Sequence, residues 1–513
     1  MFRHPTSNRP RKRGLTILSI LLAGFSLSAC LPAATAEPTA EVTSIPTAIR
    51  TATHSGPAPP TPTLTFTATA PPTAVPSPTP GPQKGAASAG DPFSPELGNT
   101  GYDVLHYHLE MEINPSVTFL RGAATITAAA RLHNLVEFTL DFAGFEIVEL
   151  LLDGEPADHR REGEKLFVTT PVGFASGQEF VLFIRYEGSP RQVGSEYVPF
   201  FNHLGFQYLG QSAFTYNQPG GAHFWFPSND HPTDKATFSF EISIPVGLVA
   251  IANGTLAEVR EVDNRTVHRW EHPYPMATYL VLIAIGDYIR IDDASPGGIP
   301  LQHYIFEDLR PAFSDAAGVT GEALDWMAEM FGPYPFDAFG FVTTRLIRAS
   351  LETQGMVLLN EDMLNEETMI HEIVHMWFGN WVTMASWADM WHNEGFAVYL
   401  SLMWQTRANP GSLNIFMQNL EAEVDREASA EPLGDLDRHR LFGFDSYQRG
   451  ALMIHYLRLE VGDEAFFEAL RLYFDRFGGG VATREDFIGV MEEVSGIELD
   501  DFFTRWLETL DYP

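Results

Sequence analysis

Cysteine is nearly missing from this sequence: 513 residues contain one, Cys30. Neither a disulfide nor a Cys-ligated metal site can therefore be built within one molecule. Positive charge is scarce as well. Against 66 Asp and Glu stand 32 Lys and Arg, a formal net charge of −34, which argues against nucleic acid or an anionic membrane surface as an electrostatic partner. The apolar run Leu15 to Leu27 falls short of the roughly 20 residues that span a bilayer. What is plentiful is core material. With 45% hydrophobic and 12% aromatic residues, a chain of this length holds about two to three domains with large cores.

The first residues read as processing rather than fold. Arg3, Arg9, Arg11, Lys12 and Arg13 form a basic stretch ahead of the short apolar run, the layout of a secretory signal. It closes on Leu27-Ser28-Ala29-Cys30, which resembles the bacterial lipobox, where the cysteine is diacylated and becomes the first residue after cleavage. Residues 1–29 are thus expected to be a lipoprotein signal peptide, with Cys30 lipidated and the body extracytoplasmic, anchored to a bacterial membrane. Residues 30–90 are dominated by Pro, Thr, Ala and Ser, with Glu37, Glu41, Arg50 and Lys84 as their charges. Too little apolar surface is available there to offset chain entropy, so a disordered tether is expected. Extended at about 3.1 Å per residue, it could hold the folded part more than about 100 Å from lipid.

From 91 to 297 the pattern has a period of two. Tyr107, Leu109, Met111 and Ile113 alternate with His106, His108, Glu110 and Glu112, and Phe238, Phe240, Ile242 and Ile244 alternate with Thr237, Ser239, Glu241 and Ser243. Asp153-Gly154 and Asn253-Gly254 supply turns, so an antiparallel β domain is predicted. Residues 298–513 are mixed. Helical periodicity is read over 314–331, 445–460, 463–476 and 483–494 and from Leu499 through Trp506, with short strands at 339–343 and 355–359 and a capping-box variant at Thr483 and Asp486.

The chemistry concentrates at His371-Glu372-Ile373-Val374-His375. On a helix, imidazoles four residues apart rise from one face, with Glu372 beside them free to act on water. Ile370, Ile373, Val374 and Trp377 make an apolar stripe on the other side of the same helix. A catalytic zinc uses three protein ligands plus a water. Glu394 is the natural third, placed after an 18-residue spacer (376 to 393) within Trp391-His392-Asn393-Glu394-Gly395-Phe396-Ala397.

These residues, in this order and spacing, resemble the gluzincin-type zinc aminopeptidases that include aminopeptidase N and leukotriene hydrolase. The likeness runs over about residues 95–513 and takes in Trp225-Phe226-Pro227-Ser228-Asn229-Asp230-His231-Pro232, Asp234-Lys235-Ala236, Pro275-Met276-Ala277-Thr278-Tyr279-Leu280 and Phe331-Gly332-Pro333-Tyr334-Pro335-Phe336. It implies a β-saddle domain followed by a thermolysin-like α+β catalytic domain holding one zinc on His371, His375 and Glu394. Ala349-Ser350-Leu351-Glu352-Thr353 stands where such proteins carry Gly-Ala-Met-Glu-Asn. Only the glutamate is kept, and Glu352 is the implied anchor for a substrate ammonium through a charge-assisted hydrogen bond. Gln218 matches the second amine contact, and as a neutral acceptor it binds an ammonium less strongly than a carboxylate. Tyr447 matches the tyrosine whose hydroxyl faces the carbonyl under attack. Asp389 is a candidate partner for the other N–H of a ligating imidazole, while His392, where an apolar residue is usual, has no assigned role.

Three classes of function fit this sequence. In the first, an aminopeptidase, Glu372 serves as general base and Glu352 with Gln218 as a ruler from the amine. A metalloendopeptidase on the same metal site follows if the altered motif no longer reads the amine. The third is a non-catalytic peptide-binding lipoprotein, against which the intact His371, Glu372, His375 and Glu394 speak. Expected partners are peptides with a free N-terminus and, through Cys30, a membrane; a monomer is expected. Longer relatives continue past the counterpart of Trp506-Leu507-Glu508-Thr509-Leu510-Asp511-Tyr512-Pro513 into a helical domain over the active site, so a more open cleft is expected here.

Overall fold

The computed structural model describes residues 81–191, 193–198, 204–345 and 349–510. The signal segment, Cys30 and the tether through residue 80 lie outside the described residues, as do the last three residues. The tether reading does not extend to residue 90. Gln83–Lys84 runs parallel to the strand Leu135–Asp141, with Gln83 N donating to Asn134 O and Gly85 N to Glu137 O, each at 2.9 Å. A backbone ladder of this kind is indifferent to side-chain composition, which is why a Pro/Thr/Ala census misses it.

The period-two pattern becomes an eight-stranded sheet in the order Thr255–Val262, Arg265–Ala277, Lys235–Pro245, Tyr102–Asn114, Phe119–Ala130, Glu179–Gly188, Glu146–Leu152, Glu155–Pro156. Alternation places Tyr107, Leu109, Met111 and Ile113 in the core, none more than 2% exposed. Within this sheet one pairing departs from the antiparallel expectation: Lys235–Pro245 lies parallel to Tyr102–Asn114. Two further four-stranded sheets complete the β domain. One of them contains Gly205–Leu209, Ser212–Tyr216, Ile283–Gly286 and Val249–Ala252, and its strand Ser212–Tyr216 leads directly into Gln218. Asp230 takes Thr278 Oγ1 and His223 Nδ1, each at 2.7 Å. This buried carboxylate ties the Trp225–Pro232 stretch to the Pro275–Leu280 stretch.

The domain boundary falls earlier than residue 297. Tyr288–Ala294 pairs antiparallel with Pro300–Phe306, and that pair belongs to the catalytic half's sheet with Gly340–Thr344 and Met356–Asn360, which join in parallel. Strand signals on both sides of a boundary look alike, so the change to helix marks the end of this hairpin rather than its start. The predicted single helix over 314–331 is two, α1 (Arg310–Ala317) and α2 (Thr320–Phe331), parted at Gly318-Val319. Then come α3 (Glu366–Val374), α4 (Met390–Gln405), α5 (Gly411–Glu427), α6 (Gly450–Val461), α7 (Asp463–Phe477) and α8 (Arg484–Ser495). The Thr483/Asp486 capping box opens α8 as predicted. α5 went unread, although Leu413, Met417, Leu420 and Val424, its buried residues, follow a helical period.

Candidate metal centre and active site

α3 begins where Asn365 caps it, its side chain accepting from Thr368 N at 3.0 Å, with Glu366 and Glu367 in the first turn where the helix dipole favours anions. Its apolar residues Ile370, Ile373 and Val374 are at most 1% exposed, and Trp377, expected on the same helix, lies in the turn past its end and is equally buried. The opposite face presents His371 and His375. The helix stops at Val374, and the chain turns at Gly379, whose φ of 109° suits glycine. In that turn the Phe378 carbonyl accepts from His375 Nδ1 at 3.2 Å. Since a carbonyl only accepts, Nδ1 carries the hydrogen and a neutral His375 points a bare Nε2 lone pair into the site.

That lone pair lies 3.2 Å from His371 Nε2 and 3.5 Å from Glu394 Oε2, and His371 Nε2 lies 3.2 Å from the same oxygen. Three such atoms converging so closely repel one another unless a proton or a metal cation sits among them. Donors about 2.0–2.1 Å from a tetrahedral zinc stand roughly 3.3 Å apart, so the set fits. Charge points the same way. Glu352, Glu372 and Glu394 are buried, and among the described residues no Lys or Arg forms an ion pair with any of them. Burial alone would pull the His375 imidazole down, but these carboxylates overcome it and raise its pKa to about 10. The cluster thus calls for positive charge. His371 keeps 19% of its side chain exposed against 1% for His375, so the site opens on the His371 side.

Glu394 is delivered by α4, and Tyr447 by a π-helical turn, Asp445–Arg449, that runs into α6. Single-turn π segments of this sort recur at functional sites. What brings the two together is a crossing of glycines. A Cβ on Gly395 would stand 2.7 Å from the Gly450 carbonyl carbon, and one on Gly450 2.9 Å from Trp391 O. With backbone against backbone, Tyr447, one turn before Gly450, stacks its ring parallel to that of His371, centroids 5.9 Å apart. Burial and the nearby carboxylates hold the Tyr447 phenol well above its usual pKa, so it is a neutral hydrogen-bond donor. Gly395→Ala tests the crossing. Helix propensity favours Ala by about 1 kcal/mol, but overpacking against unyielding backbone costs about 1–3 kcal/mol, so a lower unfolding midpoint is expected. A midpoint unchanged or raised would contradict the close approach.

Glu352 occupies a turn closed by mutual backbone hydrogen bonds between Leu351 and Leu358, at 2.8 and 3.0 Å. Its carboxylate, that of Glu372 and a ring nitrogen of His375 all lie within 4.8 Å of one another. Gln218 Nε2, arriving from the β domain, donates to Glu352 Oε1 at 2.7 Å. His371, Glu372, His375, Glu394, Glu352, Gln218 and Tyr447 are therefore gathered at one site. Asp389 is not among them. Its Oδ1 accepts from Trp391 Nε1 at 3.1 Å and from Arg484 Nε at 2.8 Å, which fastens the start of α4 to α8; the imidazole partner is the Phe378 carbonyl instead. His392 faces away from the metal centre, ringed by Phe378, Trp391, Phe396, Tyr473 and Phe487, and burial pulls its pKa down to about 4, a neutral ring in an aromatic core. Tyr216 escaped the sequence reading. It is 4% exposed, and burial together with the charges of Glu352, Glu372 and Glu394 raises its pKa, so it borders the same cleft. Only its place two residues before Gln218 hinted at this.

Residues 104–280 match the Peptidase M1 N-terminal domain and residues 316–506 the Peptidase family M1 domain. The chain belongs to peptidase family M1. Among its family relatives, Aminopeptidase M1-C of Oryza sativa subsp. japonica is 30% identical over 339 residues, 60% of this chain and 38% of that one. Aminopeptidase N of Streptomyces lividans is 30% identical over 318 residues, 55% of this chain and 36% of that one. The chain thus spans well under half the length of these curated relatives. A shorter M1 zinc metallopeptidase from Deinococcus radiodurans, seen in a crystal structure, is 28% identical with a TM-score of 0.78, covering 83% of this chain and 98% of that one. A mutant of it has been crystallised with a Tyr-Ser-Ala substrate.

Proposed function

We propose that this M1 peptidase is a zinc-dependent aminopeptidase that hydrolyses the first peptide bond of peptides bearing a free N-terminus. The observation that carries the reading is the Glu352–Gln218 pair, a buried carboxylate and a carboxamide joined at 2.7 Å, set beside His375 and Glu372. Such a pair suits a substrate ammonium, because a buried carboxylate gains most from a partner that brings a full positive charge. His371, His375 and Glu394 would hold the zinc, which when bound would supply Lewis acidity toward the scissile carbonyl and lower the pKa of a water. Glu372 accepts the proton of the attacking water at its carboxylate and passes it to the leaving amine. Tyr447 donates its phenolic hydrogen to the carbonyl oxygen as negative charge grows there. Glu352 fixes the amine, so the bond nearest the N-terminus is the one presented to Glu372.

Aminoacyl chromogenic substrates and peptides, each with a free and an N-acetylated terminus, test the reading. Hydrolysis of the free forms at least about a hundredfold faster, a loss of about 2.7 kcal/mol of transition-state binding on acetylation, is expected, and a chelator should abolish it. Equal rates for both forms would favour a metalloendopeptidase.

We also propose that the peptidase is held at a bacterial membrane through lipid on Cys30. Fatty-acid label incorporated into the full chain and lost in Cys30→Ala is the expected result; label retained by that variant would refute the anchor.

A further inference from the structure

Lys235 is a cation held by backbone carbonyls. Its Nζ donates to three backbone carbonyls, those of Asn380 at 2.9 Å, Trp381 at 3.1 Å and Gly480 at 3.2 Å. Among the described residues no carboxylate pairs with it. The first two carbonyls belong to the loop that follows α3, the third to the turn after α7. Desolvation pulls its ammonium down to about 7, so holding a cation here works against stability.

The loop it grips joins the two ends of the site. Asn380 N donates to the carbonyl of His375 at 3.1 Å, while Asn380 Nδ2 donates to the backbone carbonyl of Glu352 at 2.7 Å. One residue thus spans from a metal ligand to the amine anchor, and its remaining backbone group, the carbonyl, is taken by Lys235. Lys235 itself begins the strand Lys235–Pro245 of the β domain, the same domain that delivers Gln218. We infer that Lys235 is a positioning residue that, through Asn380, sets the distance between the metal centre and Glu352 and so decides which bond of a peptide lies over Glu372. This rests on the aminopeptidase reading. Lys235 touches neither the ligand atoms nor the Glu352 carboxylate, so its effect is on register rather than on chemistry.

The test uses full-length, zinc-loaded protein with Lys235→Met, which keeps the stem and removes the donors, Asn380→Leu, which removes the side-chain bridge, and the double variant. Zinc content, kcat and KM are measured on a free-amine substrate and its N-acetylated counterpart. In both single variants zinc stays near one per chain and KM for the free-amine substrate rises about tenfold, the order of a lost hydrogen bond. The preference for the free amine falls by the same factor. The double variant loses no more than the worse single, because both act through one link. If Lys235→Met slows free and acetylated substrates alike, or if the two losses multiply, the inference is overturned. Should Lys235→Met not fold, Asn380→Leu decides alone, since an undiminished preference for the free amine in that variant refutes the link. A wild-type protein that never preferred the free amine would refute the aminopeptidase reading instead, an outcome visible before any variant is made.

Discussion

Glu372→Gln is expected to keep one zinc per chain and to lose peptide hydrolysis by about three to four orders of magnitude, the upper range for a positioned general base and acid. Glu372 lies one residue after His371 on α3 but is not in the triad of converging donors His371, His375 and Glu394, so those three donors are untouched by the change. Its carboxylate is buried. Burial raises its pKa, the imidazole of His375 draws it down, and the negative charges of Glu352 and Glu394 raise it further, the environment of a group suited to take a proton and give it back. Glutamine preserves shape and can still orient a water, but its amide is not a base. Stability should hold or rise, because one of three crowded negative charges is removed. Metal analysis, kcat/KM and an unfolding midpoint read all three quantities. Activity within tenfold of the parent would remove Glu372 from the mechanism, and loss of zinc would show that it holds the metal.

The sequence made the centre legible for a physical reason. His371, Glu372 and His375 sit on one short helix, where spacing alone decides which side chains share a face. Glu394 needed more, namely the coordination number of zinc and a second helix, and its Oε2 lies 3.2 Å from His371 Nε2 and 3.5 Å from His375 Nε2. Residues whose roles depend on contacts between distant segments were harder. Asp389 was a sound candidate by chemical type, yet Arg484, 95 positions along the chain, takes its carboxylate, and nothing local reveals that. The true partner of His375 is a backbone carbonyl, Phe378 O, to which every residue type contributes equally. Gly395 stood in view as a member of a motif, but what it does with Gly450, letting α4 and α6 touch along the backbone, exists only once the helices cross. The domain boundary and the pairing of Gln83–Lys84 fail in the same way, since both are set by which strands become neighbours.

Glu352→Gln should separate amine recognition from metal binding. Two overlapping groups could each hold an ion by proximity, His371–His375–Glu394 and Glu352–Glu372–His375, and they share only His375. In the first, Nε2 of His375 meets the other two donor atoms at 3.2–3.5 Å. In the second, Glu352 is already engaged by Gln218 Nε2, as an anchor for a ligand would be. Glutamine keeps the oxygen that accepts from Gln218 and removes the charge. A substrate ammonium then enters a buried site without its counter-ion, and losing one member of a buried charge pair costs about 2–5 kcal/mol. The expected result is a fall of about 10²–10³ in kcat/KM for free-amine substrates, with the rate on N-acetylated peptides unchanged or improved and zinc still at one per chain. Measured together, these quantities discriminate cleanly. If zinc is lost with Glu352, the ion belongs to the second group and the amine anchor must be sought elsewhere. If zinc stays and free and acetylated peptides slow equally, Glu352 shapes the cleft without reading the amine, and the restriction to the first peptide bond loses its physical cause.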